Sequence, residues 1–147
     1  MSAPERIRNV VASIIGVLAF GGLFNALAIF HQWYGEAEES ISCVFGGGCD
    51  TVLSSPYASL LSIPLSIWGI AYYLIIITLV LTFLGRKNIH VLRLLLVGVL
   101  CGLAFSLYLF VVQAFVLGTF CSSCLLSFAD VILMTGIMVG FLKHIVR

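Results

Sequence analysis

The sequence predicts an all-α integral membrane protein, a four-transmembrane-helix bundle with a short interfacial helix in its first outer loop. Of its 147 residues, 62% are hydrophobic and only 9% are charged, whereas a soluble domain carries roughly a quarter charged residues. The mean hydropathy is +1.22. Four apolar stretches reach the length of about 20 residues that a helix needs to cross the hydrocarbon core. We therefore expect a single membrane domain over residues 1–147, with no separate soluble domain.

The four predicted spanning helices cover residues 10–30, 63–84, 94–117 and 120–142. The first three contain no Asp, Glu, Lys or Arg, and the fourth contains only Asp130. Pro64 fits the first turn of the second helix, where its missing amide does no harm. A carboxyl inside a membrane is costly and is a functional candidate by default. Asp130 is therefore a candidate both for a hydrogen bond between helices and for a proton route.

The first apolar stretch is expected to be a retained helix rather than a cleaved signal peptide. The basic start, with Arg6 and Arg8, fits either interpretation. However, the apolar run is longer than the roughly 7–15 residues of a signal peptide. Its end, Ala-Ile-Phe-His-Gln at 28–32, also lacks the small residues of a cleavage site.

The charges predict the topology. The loop over residues 31–62 contains acidic residues and no Lys or Arg, and the short loop before Cys121 carries no charge. Basic residues are enriched on the cytoplasmic side of membrane proteins. We therefore expect a multi-pass protein of the cell (inner) membrane with both termini in the cytoplasm. All seven basic residues fall on that side: Arg6, Arg8, Arg86, Lys87, Arg93, Lys143 and Arg147.

Four of the five cysteines fall at the predicted outer face. Cys43 and Cys49 lie in the first outer loop, and Cys121 and Cys124 lie at the outer start of the fourth helix. A Cys-x-x-Cys at a helix start is typical of a redox-active pair, because the helix amides favour a thiolate. Two structural disulfides and a four-cysteine zinc site are the alternatives, and an oxidising compartment disfavours zinc. We expect redox chemistry, no metal, and a packing role for Cys101 in the third helix.

The first outer loop contains three consecutive glycines, Gly46–Gly48, between its two cysteines. Glycine permits backbone conformations that are closed to other residues. We therefore interpret this run as a hinge that lets Cys49 exchange sulfur partners. The following segment, 50–61, is half apolar and too short to span a membrane. We expect it to form the short interfacial helix and to bring Cys49 close to Cys121.

Further motifs accompany the cysteine pairs. The chain contains, in order, Cys43-x5-Cys49, Val52, Ser54-Ser55-Pro56-Tyr57, Leu61-Ser62-Ile63-Pro64, Trp68-Gly69, Tyr72 and Cys121-x-x-Cys124. This order resembles the vitamin K epoxide reductase family, and most closely its bacterial and archaeal branch. The resemblance covers nearly the whole chain, and the combination of both cysteine pairs with the Ser-Ser-Pro-Tyr and Ile-Pro motifs is specific. One departure is Ser62, where the family commonly has glycine.

The resemblance implies a four-helix membrane bundle that holds a quinone and oxidises thioredoxin-like proteins. In the sulfur order that it implies, a partner thiolate attacks the Cys43–Cys49 disulfide, and Cys49 then attacks Cys121. Cys124 passes the electrons to a quinone of the ubiquinone or menaquinone type and contacts it, and Ser55 lies near a quinone carbonyl. Many bacterial members carry a fused thioredoxin domain. Here we expect a separate thioredoxin-like thiol oxidase as partner, together with membrane lipid and quinone, and no nucleic acid.

The residues themselves also favour a quinone as electron acceptor. The chain contains no Gly-rich dinucleotide motif and no haem-type histidine pair within its helices. A strongly oxidising dithiol partner needs an acceptor of high potential, and a membrane quinone is one. Most of the aromatic side chains that are possible ring neighbours are expected to face lipid or to pack between helices, and Asn25 to bond another helix. These aromatic residues are Phe24, Trp68, Tyr72, Tyr73, Phe105, Tyr108, Phe115 and Phe128.

Other functions stay open at this point. Disulfide bond formation protein B also has four helices and two outer cysteine pairs, but its Cys-x-x-Cys lies in the first loop, and the reversed order here argues against it. A non-enzymatic membrane protein whose disulfides brace its loops is the second alternative. Within the resembling family, reduction of vitamin K epoxide or quinone proper is an alternative to protein oxidation, and the bacterial-like loop favours protein oxidation.

Overall fold

The computed structural model describes residues 3–34, 51–52 and 54–146. Four α-helices account for most of this part of the chain: α1 (Ala3–Tyr34), α2 (Leu65–Arg86), α3 (Ile89–Val111) and α4 (Ser122–Val146). A π-helix, Val112–Leu117, continues α3. A 3-10 turn, Pro56–Ala58, and two short strands, β1 (Ser59–Leu60) and β2 (Ile63–Pro64), precede α2.

The predicted four-transmembrane-helix fold is confirmed. Within the described ranges, four helices are long and apolar enough to cross a membrane: Glu5–His31, Leu65–Arg86, Ile89–Leu117 and Ser122–Lys143. The helix α1 extends beyond the predicted stretch 10–30 at both ends. Hydropathy identifies only the part of a helix that lies in hydrocarbon. The helix itself continues until the backbone N–H and C=O groups at its ends find other hydrogen-bond partners.

The helices pack through small residues. The helix α1 packs most extensively against α2, and a Cβ at Gly22 of α1 would overlap the ring of Tyr73 of α2. Lipid tails are as apolar as the side chains, so close packing and hydrogen bonds must hold membrane helices together. The core consists of Ala12, Ile15, Ala19, Ala26, Tyr73, Ile76, Val80, Phe83, Leu92, Leu95, Val99, Val131, Met134, Met138 and Phe141.

One buried amide joins α1 to α4. The Asn25 Nδ2 group donates to the Ser123 carbonyl oxygen and to the Ser127 Oγ atom, each at 2.8 Å. The expectation that Asn25 bonds another helix is therefore confirmed. Because Ser123 lies within the Cys-x-x-Cys motif, this contact also fixes the first turn of α4 against α1.

The short interfacial helix predicted over 50–61 is not confirmed. Thr51 and Val52 are helical, but only a single 3-10 turn follows at Pro56–Ala58. The next residues form an antiparallel hairpin in which Ser59 pairs with Pro64 and Leu60 pairs with Ile63.

The hairpin turn explains why a helix does not continue through this segment. Leu61 and Ser62 have φ angles of 55° and 63°, both in the left-handed region. Two such residues form a tight turn that matches the twist of paired strands. The chain therefore reverses at Leu61–Ser62 and enters α2 directly after Pro64. Glycine at position 62 would adopt this conformation without steric cost.

We expect Ser62→Gly to stabilise the protein by about 0.5–1 kcal/mol, because it removes the steric cost of a left-handed residue but adds the backbone entropy of glycine. Ser59→Gly is the matched control, since Ser59 is extended with φ −126° and ψ 136°. There glycine brings only its entropic cost and should destabilise. Thermal unfolding in detergent micelles measures both changes, and equal effects of the two substitutions would contradict the assignment of the turn.

Candidate functional site

The connection between α3 and α4 forms the centre of the site. The π-helix Val112–Leu117 ends at Gly118, which has a left-handed φ of 61°, and α4 begins four residues later at Ser122. This turn brings Gln113 to Cys121, whose backbone N–H donates to the Gln113 Oε1 atom at 3.1 Å. Cys121 is 0% exposed and Gln113 is 4% exposed. Short π-helical segments within α-helices are frequent at functional sites.

Cys121 caps the N-terminus of α4. Its carbonyl oxygen accepts the Leu125 N–H at 3.0 Å, and its sulfur accepts hydrogen bonds from the backbone amides of Cys124 and Ser123. The sulfur thus occupies the place that a serine or aspartate oxygen takes in other helix caps.

The hydrogen bonds around Cys121 make it acidic. The hydrogen bond from the Cys124 thiol, supported by the two backbone amides and opposed by burial, lowers the pKa of Cys121 from 9.0 to about 7. From the sequence alone, two opposing effects on the pKa of this thiol are expected: the helix N-terminus lowers it and apolar surroundings raise it. In the folded protein the hydrogen bonds outweigh burial.

A cavity of about 380 Å³ adjoins the Cys-x-x-Cys motif, and its walls are mostly apolar. Cys124 and Ser55 both line it, so the structure brings together two of the residues predicted for the site. Cys121 is not in the wall and packs instead with Val52 and Leu117. The two cysteines of the motif therefore have different surroundings, one facing the cavity and the other facing the segment that precedes the hairpin.

Two hydroxyl groups on the cavity wall differ in their hydrogen bonds. The Ser55 hydroxyl donates to the Val52 carbonyl oxygen at 2.7 Å. Among the residues that the structure describes, the Tyr72 hydroxyl is buried and has no hydrogen-bond partner. It lies against Gly102, where a Cβ would overlap it. Tyr72 thus brings an unused hydrogen-bond donor to the cavity.

The aromatic residues divide between the cavity and the outer surface of the bundle. Phe110 and Phe128 stack with their ring centroids 5.0 Å apart and their planes at 16°. More of the predicted ring neighbours line the cavity than expected: Trp68, Tyr72, Tyr73, Phe105 and Phe128. Those outside its wall are exposed: Phe24, Tyr108 and Phe115.

Three other predicted residues have different outcomes. Cys101 is exposed and lines the cavity, so the expectation of a packing role is wrong. The side chain of Asp130 contacts Tyr73 of α2, which favours the first of its two open interpretations, a bond between helices, and the proton route stays a prediction. Cys43 and Cys49 lie outside the described residues, and their roles also stay predictions.

Sequence reasoning did not find Gln113. Its position inside a long apolar run predicts a membrane helix, and nothing in that run shows that the helix changes to π geometry before Cys121. The one available signal was the amide itself, since a buried amide in a spanning helix requires a partner.

Comparison with known proteins identifies the family. The sequence model of the vitamin K epoxide reductase family matches residues 13–139, which is most of the chain. The chain belongs to this family. A comparison with curated proteins found no match. Members of the vitamin K epoxide reductase family are oxidoreductases, and with its four spanning helices this protein is a multi-pass membrane redox enzyme. The resemblance predicted from the motifs is thereby confirmed.

We expect the acidity of Cys121 in this family member to depend on the Cys124 side chain. In Cys124→Ala the principal hydrogen bond to the Cys121 sulfur is lost, so the pH midpoint for alkylation of Cys121 should rise above about 7. Cys124→Ser retains an O–H donor and should keep a lower midpoint. Alkylation rates against pH, resolved at Cys121 by mass spectrometry, measure this. Equal midpoints in the two variants would show that Cys124 does not control the thiolate.

Proposed function

We propose that this protein is a quinone-dependent thiol–disulfide oxidoreductase. It oxidises a separate thioredoxin-like partner, passes the electrons through Cys43 and Cys49 and then Cys121 and Cys124 to a quinone of the ubiquinone or menaquinone type, and so supports disulfide bond formation. The observation that carries the proposal is the position of Cys124 in the wall of an apolar cavity. Its partner Cys121 lies outside that wall against Val52.

The position of Val52 supports transfer from the first loop to Cys121. Val52 contacts Cys121, and Cys49 precedes Val52 by three residues in the sequence. A chain of three residues spans at most about 11 Å. The attack of Cys49 on Cys121 is therefore compatible with the length of the chain.

The low pKa of Cys121 suits the role of a leaving group. The Cys49 thiolate attacks the Cys121 sulfur, the Cys121–Cys124 bond breaks, and its electron pair remains on Cys124. The Cys43 thiolate then attacks Cys49, closes the loop disulfide and releases Cys121 as a thiolate. A thiol of lower pKa leaves faster in such an exchange. Once the Cys124 thiolate has taken up a proton, its S–H can donate to the leaving Cys121 sulfur, and the pKa of about 7 at Cys121 then favours its release from the mixed disulfide.

The residues around the cavity fit a quinone. The volume of about 380 Å³ lies within the range of about 300–1,000 Å³ for small-molecule sites, and such sites combine apolar walls with a few polar groups. The Tyr72 hydroxyl would donate to a carbonyl oxygen, since the Ser55 proton is already used by Val52. A bound quinone would take two electrons and two protons from the Cys121–Cys124 dithiol, which would close to a disulfide.

The topology of the proposal follows from the distribution of charge. The basic residues flank the inner ends of the predicted spans, which supports cytoplasmic termini in the cell inner membrane. Both cysteine pairs then lie at the outer face, where a thioredoxin-like partner would be oxidised.

The test is an electron-transfer assay with the purified protein in detergent. A reduced thioredoxin-fold protein and a quinone are supplied, and loss of quinone absorbance is followed. We expect turnover to fall at least a hundredfold in Cys→Ser variants at Cys43, Cys49, Cys121 or Cys124, because each sulfur forms a bond in the exchange sequence. Thr82→Val serves as control, since the Thr82 hydroxyl donates to its own helix at the Thr78 carbonyl oxygen.

Three outcomes decide between the candidate functions. Turnover that needs all four cysteines and the partner protein supports the proposal. Reduction of vitamin K epoxide or quinone by a small dithiol, without oxidation of the protein partner, supports a reductase proper. Absence of quinone reduction in the wild-type protein, or four cysteine variants as active as Thr82→Val, overturns the proposal.

We expect Tyr72→Phe to raise the KM for the quinone about fivefold, the effect of losing one hydrogen bond of about 1 kcal/mol. The substitution removes only the hydroxyl and preserves the ring. Tyr108→Phe is the matched control, because Tyr108 is 56% exposed and lies outside the cavity wall. Steady-state rates against quinone concentration measure both. The same KM in the two variants would show that Tyr72 does not bind the quinone.

A further inference from the structure

We propose that Gln113 donates an amide N–H to the Cys124 sulfur and holds it as an anion in the cavity wall, while its oxygen fixes the turn at Cys121. This inference rests on the proposed function, because it concerns the sulfur that would reduce the quinone. It assigns a role in the redox site to a side chain outside the cysteine motifs.

Gln113 is the only side-chain amide in the apolar run 94–117. It is 4% exposed, belongs to the π-helix Val112–Leu117 and lines the cavity. An amide in such a place is costly unless its oxygen and its NH2 group both find partners. Its burial therefore requires an account of both ends of the side chain.

The first contact determines the orientation of the second. The backbone N–H of Cys121 can only donate, so the atom that accepts it at 3.1 Å must be the amide oxygen of Gln113. The NH2 group then points away from the Cys121 nitrogen. Gln113 and Cys124 both line the cavity, and the Cys124 sulfur is the acceptor beside Gln113 that we assign to the NH2 group.

The exchange sequence shows when this donor acts. Attack by the Cys49 thiolate forms the Cys49–Cys121 bond and breaks the Cys121–Cys124 bond, and the electron pair of the broken bond stays on the Cys124 sulfur. The new anion faces a cavity whose walls are mostly apolar. A hydrogen bond from a neutral donor to an ionised acceptor is about twice as strong as one between neutral groups. Gln113 therefore stabilises the charge that Cys124 carries before the quinone is reduced.

Two variants separate this role from a purely structural one. Gln113→Met removes both the oxygen and the donor at similar length. Gln113→Glu retains an oxygen for the Cys121 N–H but replaces the NH2 group by a second oxygen. Once the new carboxyl ionises, two anions face each other at Cys124. Val116→Met is the matched control, because Val116 lies in the same π-helix, is 57% exposed and is not in the cavity wall.

The decisive readout is the rate of alkylation of Cys124 against pH, measured in a Cys121→Ser background without quinone or partner protein. We expect Gln113→Met to slow alkylation about tenfold at pH 7, the effect of losing one hydrogen bond to a charged group. The deficit should shrink as the pH rises in Gln113→Met and persist in Gln113→Glu. Val116→Met should match the unsubstituted background. Quinone reduction should show a lower kcat in both Gln113 variants, with the KM for the partner protein unchanged.

Unchanged alkylation of Cys124 in both Gln113 variants across the pH range would overturn the inference. If Gln113→Met does not fold, Gln113→Glu alone decides, because it keeps the contact to the Cys121 amide. A wild-type protein that reduces no quinone would instead overturn the proposed function. The alkylation result would still show whether Gln113 donates to Cys124, so the two failures are distinguishable.

Discussion

The need to satisfy polar groups without water is the constraint on which this structure depends. In hydrocarbon each backbone amide and carbonyl must find a partner within the protein, and the four long helices meet that requirement for most of the described chain. The buried side-chain amides then carry the connections between helices. Asn25 bonds the first turn of α4 from α1, and Gln113 accepts the amide of Cys121 from the end of α3. The same requirement that holds the bundle together therefore also fixes both sides of the Cys-x-x-Cys motif.

The turn between α3 and α4 gives the two sulfurs of the motif different chemistry. Cys121 is the N-cap of α4, and three residues later the helix has turned far enough to present Cys124 to the cavity. The capping hydrogen bonds lower the pKa of Cys121, which suits a sulfur that forms and breaks bonds with another cysteine. Cys124 lines the apolar wall together with Tyr72, whose hydroxyl has no hydrogen-bond partner within the described part of the chain. In the proposed function, the start of α4 would thus place the sulfur that exchanges with other cysteines apart from the sulfur that reduces the quinone ring.

The features that depend on the local sequence were predictable. The features that depend on contacts with residues distant in the sequence were not. Hydropathy predicted the four helices because burial in lipid is a property of each stretch by itself. It did not predict the hairpin after residue 58, since Leu61 and Ser62 are unusual residues for left-handed backbone. It also missed Gln113 and the exposure of Cys101, because the place of a side chain around a helix depends on π geometry and on which helices adjoin it. The motifs located Cys124 and Ser55, which share a cavity, but they could not show that the Ser55 proton is used by Val52.

The segment between Val52 and the hairpin physically links the two halves of the site. Val52 covers Cys121, and its carbonyl oxygen accepts the Ser55 hydroxyl at 2.7 Å, while Val52, Ser55 and Ala58 line the cavity. In the exchange that we propose, Cys49 must reach the Cys121 sulfur, which Val52 contacts. If Val52 moves, the hydrogen bond from the Ser55 hydroxyl to the Val52 carbonyl oxygen either breaks or Ser55 moves with Val52. Either change alters the cavity wall. The proposed sulfur exchange at Cys121 and the proposed ring binding beside Cys124 would therefore involve the same piece of backbone, so a substitution there should affect both.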